Sequence, residues 1–248
     1  MSKYTKLRTE ADKKWHTLIS GDTVWVRVGA AMCGQASGAL EVIEALDDEI
    51  TKANVNAKVS SVGCLGICFA EPLVDVLKPG KPRVFFKNVT SENVKRIVEE
   101  YLVKDTVPQD ILLGQLGGHK IDDIPSMEEL PGLAMQERIA MRNGGHIAPD
   151  DIYQYVANDG YSALNKAIFE MGPEDVIKEM QNSGLRGRGG AAFPTGVKWS
   201  FLVRAPGPPK YILCNCEEGD PGAYNDKGIL ESDPHTLLEG MVLAGYAT

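Results

Sequence analysis

Polar and apolar residues alternate along Thr23-Val-Trp-Val-Arg-Val28, the period-two signature of a strand. A glycine-containing turn with Cys33 follows, and Leu40, Ile43, Leu46 and Ile50 then recur at helical spacing. The runs Lys58–Val62, Leu73–Leu77 and Arg83–Phe86 predict three more strands, with a Lys78-Pro-Gly-Lys-Pro82 turn before the last. Thr90-Ser-Glu-Asn93 opens a helix expected to run to Leu102, with Thr90 or Ser91 as its cap. Ahead of all this, the polar residues 1–20 predict a surface helix.

The pattern then changes. Residues 104–150 read as a connector marked by Leu116-Gly-Gly-His119, Leu130-Pro-Gly132 and Asn143-Gly-Gly-His146. Helices are expected at about 149–157, 161–171 and 173–182. Tyr211-Ile-Leu-Cys-Asn215 predicts a buried strand that ends in an acidic turn, Cys216–Gly222. Asp233-Pro-His-Thr236 starts a last helix, with aspartate as cap and proline in the first turn. The expected fold class is α/β, in part α+β. The order β-α-β-β-β-α suits a thioredoxin-like domain at 1–103, followed by a connector at 104–148 and an α/β domain at 149–248.

Composition narrows the function. A net charge of −8 argues against nucleic-acid partners, so the local cations are better matched to a small anionic ligand. No apolar run is long enough to span a membrane, and the polar N-terminus has no apolar signal core, so the expected setting is cytoplasmic without membrane insertion. Five cysteines in such a setting suggest metal or redox chemistry, or burial, before a disulfide framework.

Two constellations carry chemistry. Cys33 and the C-x3-C loop of Cys64 and Cys68 lie about thirty residues apart, on loops that the strand order brings to one end of the sheet. Such thiolates can hold an iron–sulfur cluster or zinc, although a fourth is missing. The second is Gly184-Leu-Arg-Gly-Arg-Gly-Gly-Ala-Ala-Phe-Pro-Thr-Gly-Val-Lys-Trp199, which has five glycines among Arg186, Arg188 and Lys198. Glycine admits a phosphate close to backbone N–H groups, and the cations supply charge. Asn215, Glu217 and Glu218 offer polar groups to ring nitrogens and hydroxyls, and Phe193, Trp199 and Phe201 can stack on a planar ring. The loop lacks the G-x4-G-K-[ST] pattern and follows a helix, so it is neither a Walker loop nor the usual dinucleotide fingerprint. His235 sits in a first turn, and His16, His119 and His146 show no ligand spacing. Cys214 and Cys216 are read as packing residues in the expected strand.

The segment 184–199, followed in order by Tyr211–Gly222 and by Glu231-Ser-Asp-Pro-His-Thr-Leu-Leu-Glu-Gly240, resembles the NADH-binding flavoprotein subunit of respiratory complex I. The thioredoxin-like domain with its C-x3-C loop is similar to that of the soluble relatives, the beta subunits of bifurcating hydrogenases and of NAD-dependent formate dehydrogenases. The resemblance implies FMN, NAD(H) or its phosphorylated form as hydride donor, and a [2Fe–2S] cluster on Cys33, Cys64 and Cys68. It places Gly187, Arg188, Gly189, Gly190 and Lys198 at the FMN phosphate and ring. Asn215 and Glu217 fall at FMN polar groups, and Phe193, Phe201 and Asp220 at the nicotinamide nucleotide. No side chain is expected to act as catalytic acid or base. The implied role is NADH:acceptor electron transfer with iron–sulfur partner subunits of a hydrogenase, formate dehydrogenase or complex I-like assembly. A rival reading is a docking module whose cluster is lost or replaced by zinc.

Three departures from the family pattern stand out. Ala192 replaces a usual glycine, which is mild only if the backbone there has negative φ. Asp220 replaces a common glutamate. The cysteine expected near Arg27 or Val28 is absent, so a ligand such as Ser37 would have to complete the set. The resemblance further implies that the family's remaining flavin, ubiquitin-like and [4Fe–4S] segments lie outside this chain, which is expected to be a fragment that alone holds FMN weakly.

Overall fold

A computed structural model describes residues 2–220 and 222–248. The helix α1 (Lys3–Ser20) starts at Ser2, whose side chain accepts the Thr5 N–H. The strands β1 (Val24–Gly29), β2 (Ala57–Val62), β3 (Val74–Leu77), β4 (Arg83–Phe86) and β5 (Leu112–Leu116) form one sheet in the order β2-β1-β3-β4-β5. β1 and β2 run parallel, with Val26 opposite Val59. The remaining pairs are antiparallel. Between β1 and β2 lie a short α2 (Met32–Ala36) and α3 (Ala39–Lys52). This is the parallel β-α-β unit followed by antiparallel strands that the expected thioredoxin-like arrangement requires.

Alternation decides what each face buries. Val24, Val26 and Val28 of β1 meet Val74, Val76, Val84 and Phe86 under Val42, Leu46 and Ile50 of α3. The same layer takes in α4 (Val94–Arg96) and its π-helical continuation Ile97–Val103, through Ile97, Val98 and Tyr101. The opposite face buries Phe85 and Leu113 against Ile67, Leu73 and Met127. It also buries a charged group, in which Asp75 accepts from Arg27 Nε at 2.8 Å and from Arg83 Nη2 at 2.7 Å. The two guanidinium groups also donate to the carbonyls of His146 and Gly145, which fastens that stretch to the sheet.

β5 departs from the sequence reading, which leaves residues 104–150 without a strand. The five-residue Leu-Leu-Gly-Gln-Leu segment pairs at the sheet edge, where Gln115 is opposite Val84. After it come α5 (Pro131–Ala134), α6 (Ile152–Ala157), α7 (Ser162–Glu170) and α8 (Pro173–Asn182), and then α9 (Thr195–Arg204), α10 (Asn225–Ser232) and α11 (Pro234–Ala247). Asp233 caps α11 by accepting the Thr236 N–H, as its sequence predicts. Ala167, Val176, Ile177 and Ala247 form a separate small core.

Tyr211–Asn215 is a correction. The segment has no strand partner among the described residues, and Tyr211 and Leu213 are 71% and 88% exposed. A strand is stabilised by its neighbours, and an apolar run without one stays irregular. Pro221 of the acidic turn lies outside the described residues.

Candidate functional site

The sheet carries the three N-terminal cysteines to one end. Cys33 lies in α2 just after β1, Cys64 just after β2, and Cys68 at the start of a single 3-10 turn, Cys68–Ala70. Cys68 stands near both Cys33 and Cys64, close enough for each thiol to influence the others' titration. The Gly66 N–H also donates to Cys64 Sγ at 3.1 Å. Burial raises all three thiols above the ordinary cysteine value, because a charged thiolate loses water there. Among the described residues, no group of three His, Cys, Asp or Glu side chains is arranged to hold a single metal ion.

The two positions near which the family pattern has its further cysteine serve other ends. Val28 is fully buried in the core, and Arg27 is paired with Asp75. Ser37 is exposed at the end of α2, and its hydroxyl makes no hydrogen bond among the described residues. A residue to which the sequence assigns no role is present instead. Glu71 is 7% exposed, accepts the Leu73 N–H at 2.9 Å and brings Oε1 to 4.0 Å from Cys64 Sγ. Burial pushes its carboxyl up to about 7. The bare backbones of Gly29 and Gly34 make room for it, since a Cβ on Gly29 would stand 3.0 Å from Oε2 and one on Gly34 3.3 Å.

The end of α10 covers this cysteine loop. Ser232 Oγ accepts the Cys64 N–H at 3.1 Å, and Glu231 accepts the Met32 N–H at 3.1 Å. Lys227 reaches Met32 Sδ at 2.7 Å, next to Cys33. Asp233 accepts from Asn143 at 2.7 Å and completes the attachment. Glu231, Ser232 and Asp233 therefore join the cysteine end of the sheet to the segment that follows the glycine loop.

The glycine loop itself is an exposed lobe pinched at its base. Arg186 and Pro194 form an antiparallel bridge, the Gly187 N–H donates to Phe193 O at 2.8 Å, and the Thr195 N–H donates to Leu185 O at 2.9 Å. Gly189 and Gly190 have nothing within 4 Å of the space a side chain would fill, and their N–H groups donate to nothing among the described residues. Arg186 is occupied with Ala192 O at 3.1 Å, whereas Arg188 and Lys198 form no ion pair or hydrogen bond through their side chains among the described residues. Phe193 and Phe201 are half-exposed neighbours with ring centroids 6.1 Å apart. The donors, cations and rings suited to a phosphorylated planar ligand are thus present and accessible.

Other expectations need adjusting. Ala192 has φ of +48°, in the left-handed region, so the condition under which its replacement of glycine would be mild does not hold. Glu218 accepts the Asp226 N–H at 2.9 Å and the Lys227 N–H at 3.4 Å at the start of α10. Asn215, Glu217 and Asp220 are exposed. Cys214 is exposed and Cys216 partly so, which corrects the packing role read for them. No described helix is long and apolar enough to cross a membrane.

A model of the Nuo51 FMN-binding domain family matches residues 180–248. A subunit of the NADH-quinone oxidoreductase of Rhizobium meliloti (strain 1021) is 46% identical over 117 residues, covering 46% of this chain and 27% of that protein. The HndC subunit of the NADP-reducing hydrogenase of Solidesulfovibrio fructosivorans is 47% identical over 112 residues, covering 45% and 22%. The chain thus spans about a quarter of the length of the curated relatives it matches. Among solved structures, a thioredoxin-like [2Fe–2S] ferredoxin from Aquifex aeolicus aligns with a TM-score of 0.35 at 20% identity, covering 40% of this chain and 99% of that one. A chain of an NAD+-reducing [NiFe]-hydrogenase aligns with a TM-score of 0.34 at 19% identity, covering 98% and 38%. Residues 180–248 are therefore similar in sequence to the Nuo51 FMN-binding domain, and the chain resembles the oxidoreductase and hydrogenase subunits named above over part of its length.

Proposed function

We infer that this chain is part of a flavoprotein subunit that passes electrons from NADH or NADPH through FMN to iron–sulfur partners in a larger assembly. The observation that carries the reading is the open lobe 187–193, with unpaired Arg188 and Lys198, inside the segment matched by the FMN-binding family. The N–H groups of Gly189 and Gly190, with Arg188 and Lys198, would hold the phosphate; charge-assisted bonds of this kind are among the strong ones. Asn215 and Glu217 would take ring and ribityl polar groups. Phe193 and Phe201 offer apolar surface to the nicotinamide nucleotide, with Asp220 as a polar contact. Bound there, FMN would supply the exchange between a two-electron donor and one-electron acceptors. The protein's part is to bind and orient, and no side chain in the lobe is set up as an acid or base.

The thiols of Cys33, Cys64 and Cys68 fit an iron–sulfur group in donor chemistry, being three soft ligands brought together on two loops. The seat that Ser232 and Glu231 make on those loops supports the reading that flavin and cluster elements act as one unit.

A direct test is FMN titration of the full chain, followed by quenching of flavin fluorescence. Wild type should bind saturably, and Arg188→Ala should weaken binding by about tenfold or more, the cost of one charged hydrogen bond. Equal affinity in wild type and Arg188→Ala, or no binding in either, would remove the lobe from the flavin site.

A further inference from the structure

We propose that Glu71 is the fourth protein ligand of the cysteine site, giving a mixed donor set of three thiolates and one carboxylate for a [2Fe–2S] cluster. The inference rests on reading Cys33, Cys64 and Cys68 as an iron–sulfur site, and it names what completes that site in a chain without the fourth cysteine.

Glu71 is held between the two cysteine loops, with one oxygen on the Leu73 N–H and the other facing Cys64. No Lys, Arg or His forms an ion pair with it among the described residues. A buried carboxylate without a cation is costly, and coordination of a metal is one of the ways such a charge is retained. At the bond lengths of a tetrahedral first-row ion, about 2.3 Å to sulfur and about 2.1 Å to oxygen, two donors on one ion stand about 3.6 Å apart. Cys64 Sγ and Glu71 Oε1 stand 4.0 Å apart.

The [2Fe–2S] cluster that the resemblance implies is binuclear. A binuclear cluster asks for two pairs of ligands, one pair on each iron. Cys64 with Glu71 supplies one pair, and Cys33 with its neighbour Cys68 supplies the second. Unequal donors on the two irons are established chemistry for [2Fe–2S] centres, where imidazoles replace two thiolates on one iron. Ligation displaces the thiol protons to solvent, with no change in oxidation state.

Gly29 and Gly34 belong to the same device. Each leaves open the space into which the carboxylate projects, and a Cβ on Gly34 would also strike Gly29 O at 2.0 Å. Glu71 is therefore accommodated by the backbone on the Cys33 side and by Cys64 on the other.

The experiment reconstitutes the full chain anaerobically with ferric iron and sulfide, then measures iron, acid-labile sulfide and Mössbauer spectra. Glu71→Gln keeps an acceptor for the Leu73 N–H and should fold, as circular dichroism will verify. Wild type should hold two irons with two unlike Mössbauer signals. Glu71→Cys should hold two irons with closely similar, all-thiolate signals. Glu71→Gln should bind iron about tenfold or more weakly, since even an outer-shell change costs that much. Equal iron and an unchanged spectrum in folded Glu71→Gln would overturn the assignment, and so would a wild type that takes up no iron or only zinc. FMN titration of the same samples separates the two readings. Flavin binding without iron defeats only the cluster assignment, and iron without flavin defeats only the flavin site.

Discussion

Gly63→Ala should detach the end of α10 from the cysteine loop. A methyl group at position 63 would lie 2.2 Å from Ser232 Oγ, 2.3 Å from its Cβ and 2.4 Å from its Cα. Carbon atoms pack best at about 3.5–4.0 Å, so the seat must open by more than about 1 Å. Overpacking of this kind costs about 1–3 kcal/mol. Opening also breaks the bonds from Cys64 N–H to Ser232 and from Met32 N–H to Glu231, each worth about 1 kcal/mol. The expected loss is about 3–5 kcal/mol. Ser232→Ala alone removes only the hydroxyl and should cost about 1 kcal/mol. Ser232→Gly should rescue Gly63→Ala incompletely, because the Cα clash remains. Urea unfolding gives the stability, and hydrogen exchange at the Cys64 amide reports the seat directly. A stability change below about 0.5 kcal/mol, the range of ordinary surface substitutions, with Cys64 protection unchanged, would refute the coupling of the two segments.

Asp75→Asn should lower stability by about 3–5 kcal/mol, because Arg27 and Arg83 would remain buried without their carboxylate; urea unfolding followed by tryptophan fluorescence would read it from Trp25, whose ring lies 4.0 Å from Arg27. Burial, with Arg83 and Arg27 nearby, holds the His146 imidazole down at about 4. Its unfolded form binds a proton near 6.5, so between these values the unfolded state carries more protons and stability falls as pH falls. That loss should approach about 3 kcal/mol between pH 6.5 and 4, and the difference between wild type and His146→Gln across that window isolates it. A flat difference would contradict the buried neutral imidazole. Ala192→Gly relieves a left-handed backbone but frees the unfolded chain, and these effects are each about 1 kcal/mol. Melting temperature should therefore change little, whereas a drop of several degrees would show that Ala192 does not adopt positive φ.

Periodicity made the sheet and most helices legible. β1, β3 and β4 are almost wholly buried, so their valines and phenylalanines repeat in a way that solvent alone would not select. β5 was hidden because Leu112-Leu-Gly-Gln-Leu116 has a central glycine and a buried glutamine. That glutamine is satisfied by Ile121 and Ile124 carbonyls nearby, a fact local sequence does not carry. Tyr211–Asn215 misled in the opposite direction, since its apolar residues match a strand but no partner strand lies beside them among the described residues. In the candidate site, glycine spacing and cations announced the lobe, and cysteine spacing announced the thiols. Glu71 and Ser232 gave no such signal. Each acts through a contact with a loop distant in sequence or backbone-bare, and a glutamate before a proline reads locally as a surface turn. Two glycines flanking the Cys33 segment were the available hint, because they leave a space that some other group has to fill.

The most direct test of the flavoprotein account is an anaerobic visible spectrum of the full chain, recorded at saturating FMN before and after NADH is added. The account predicts that the flavin bands bleach at a rate proportional to protein and that Arg188→Ala slows the bleaching. Flavin that stays oxidised, or that bleaches equally without the protein, would contradict it.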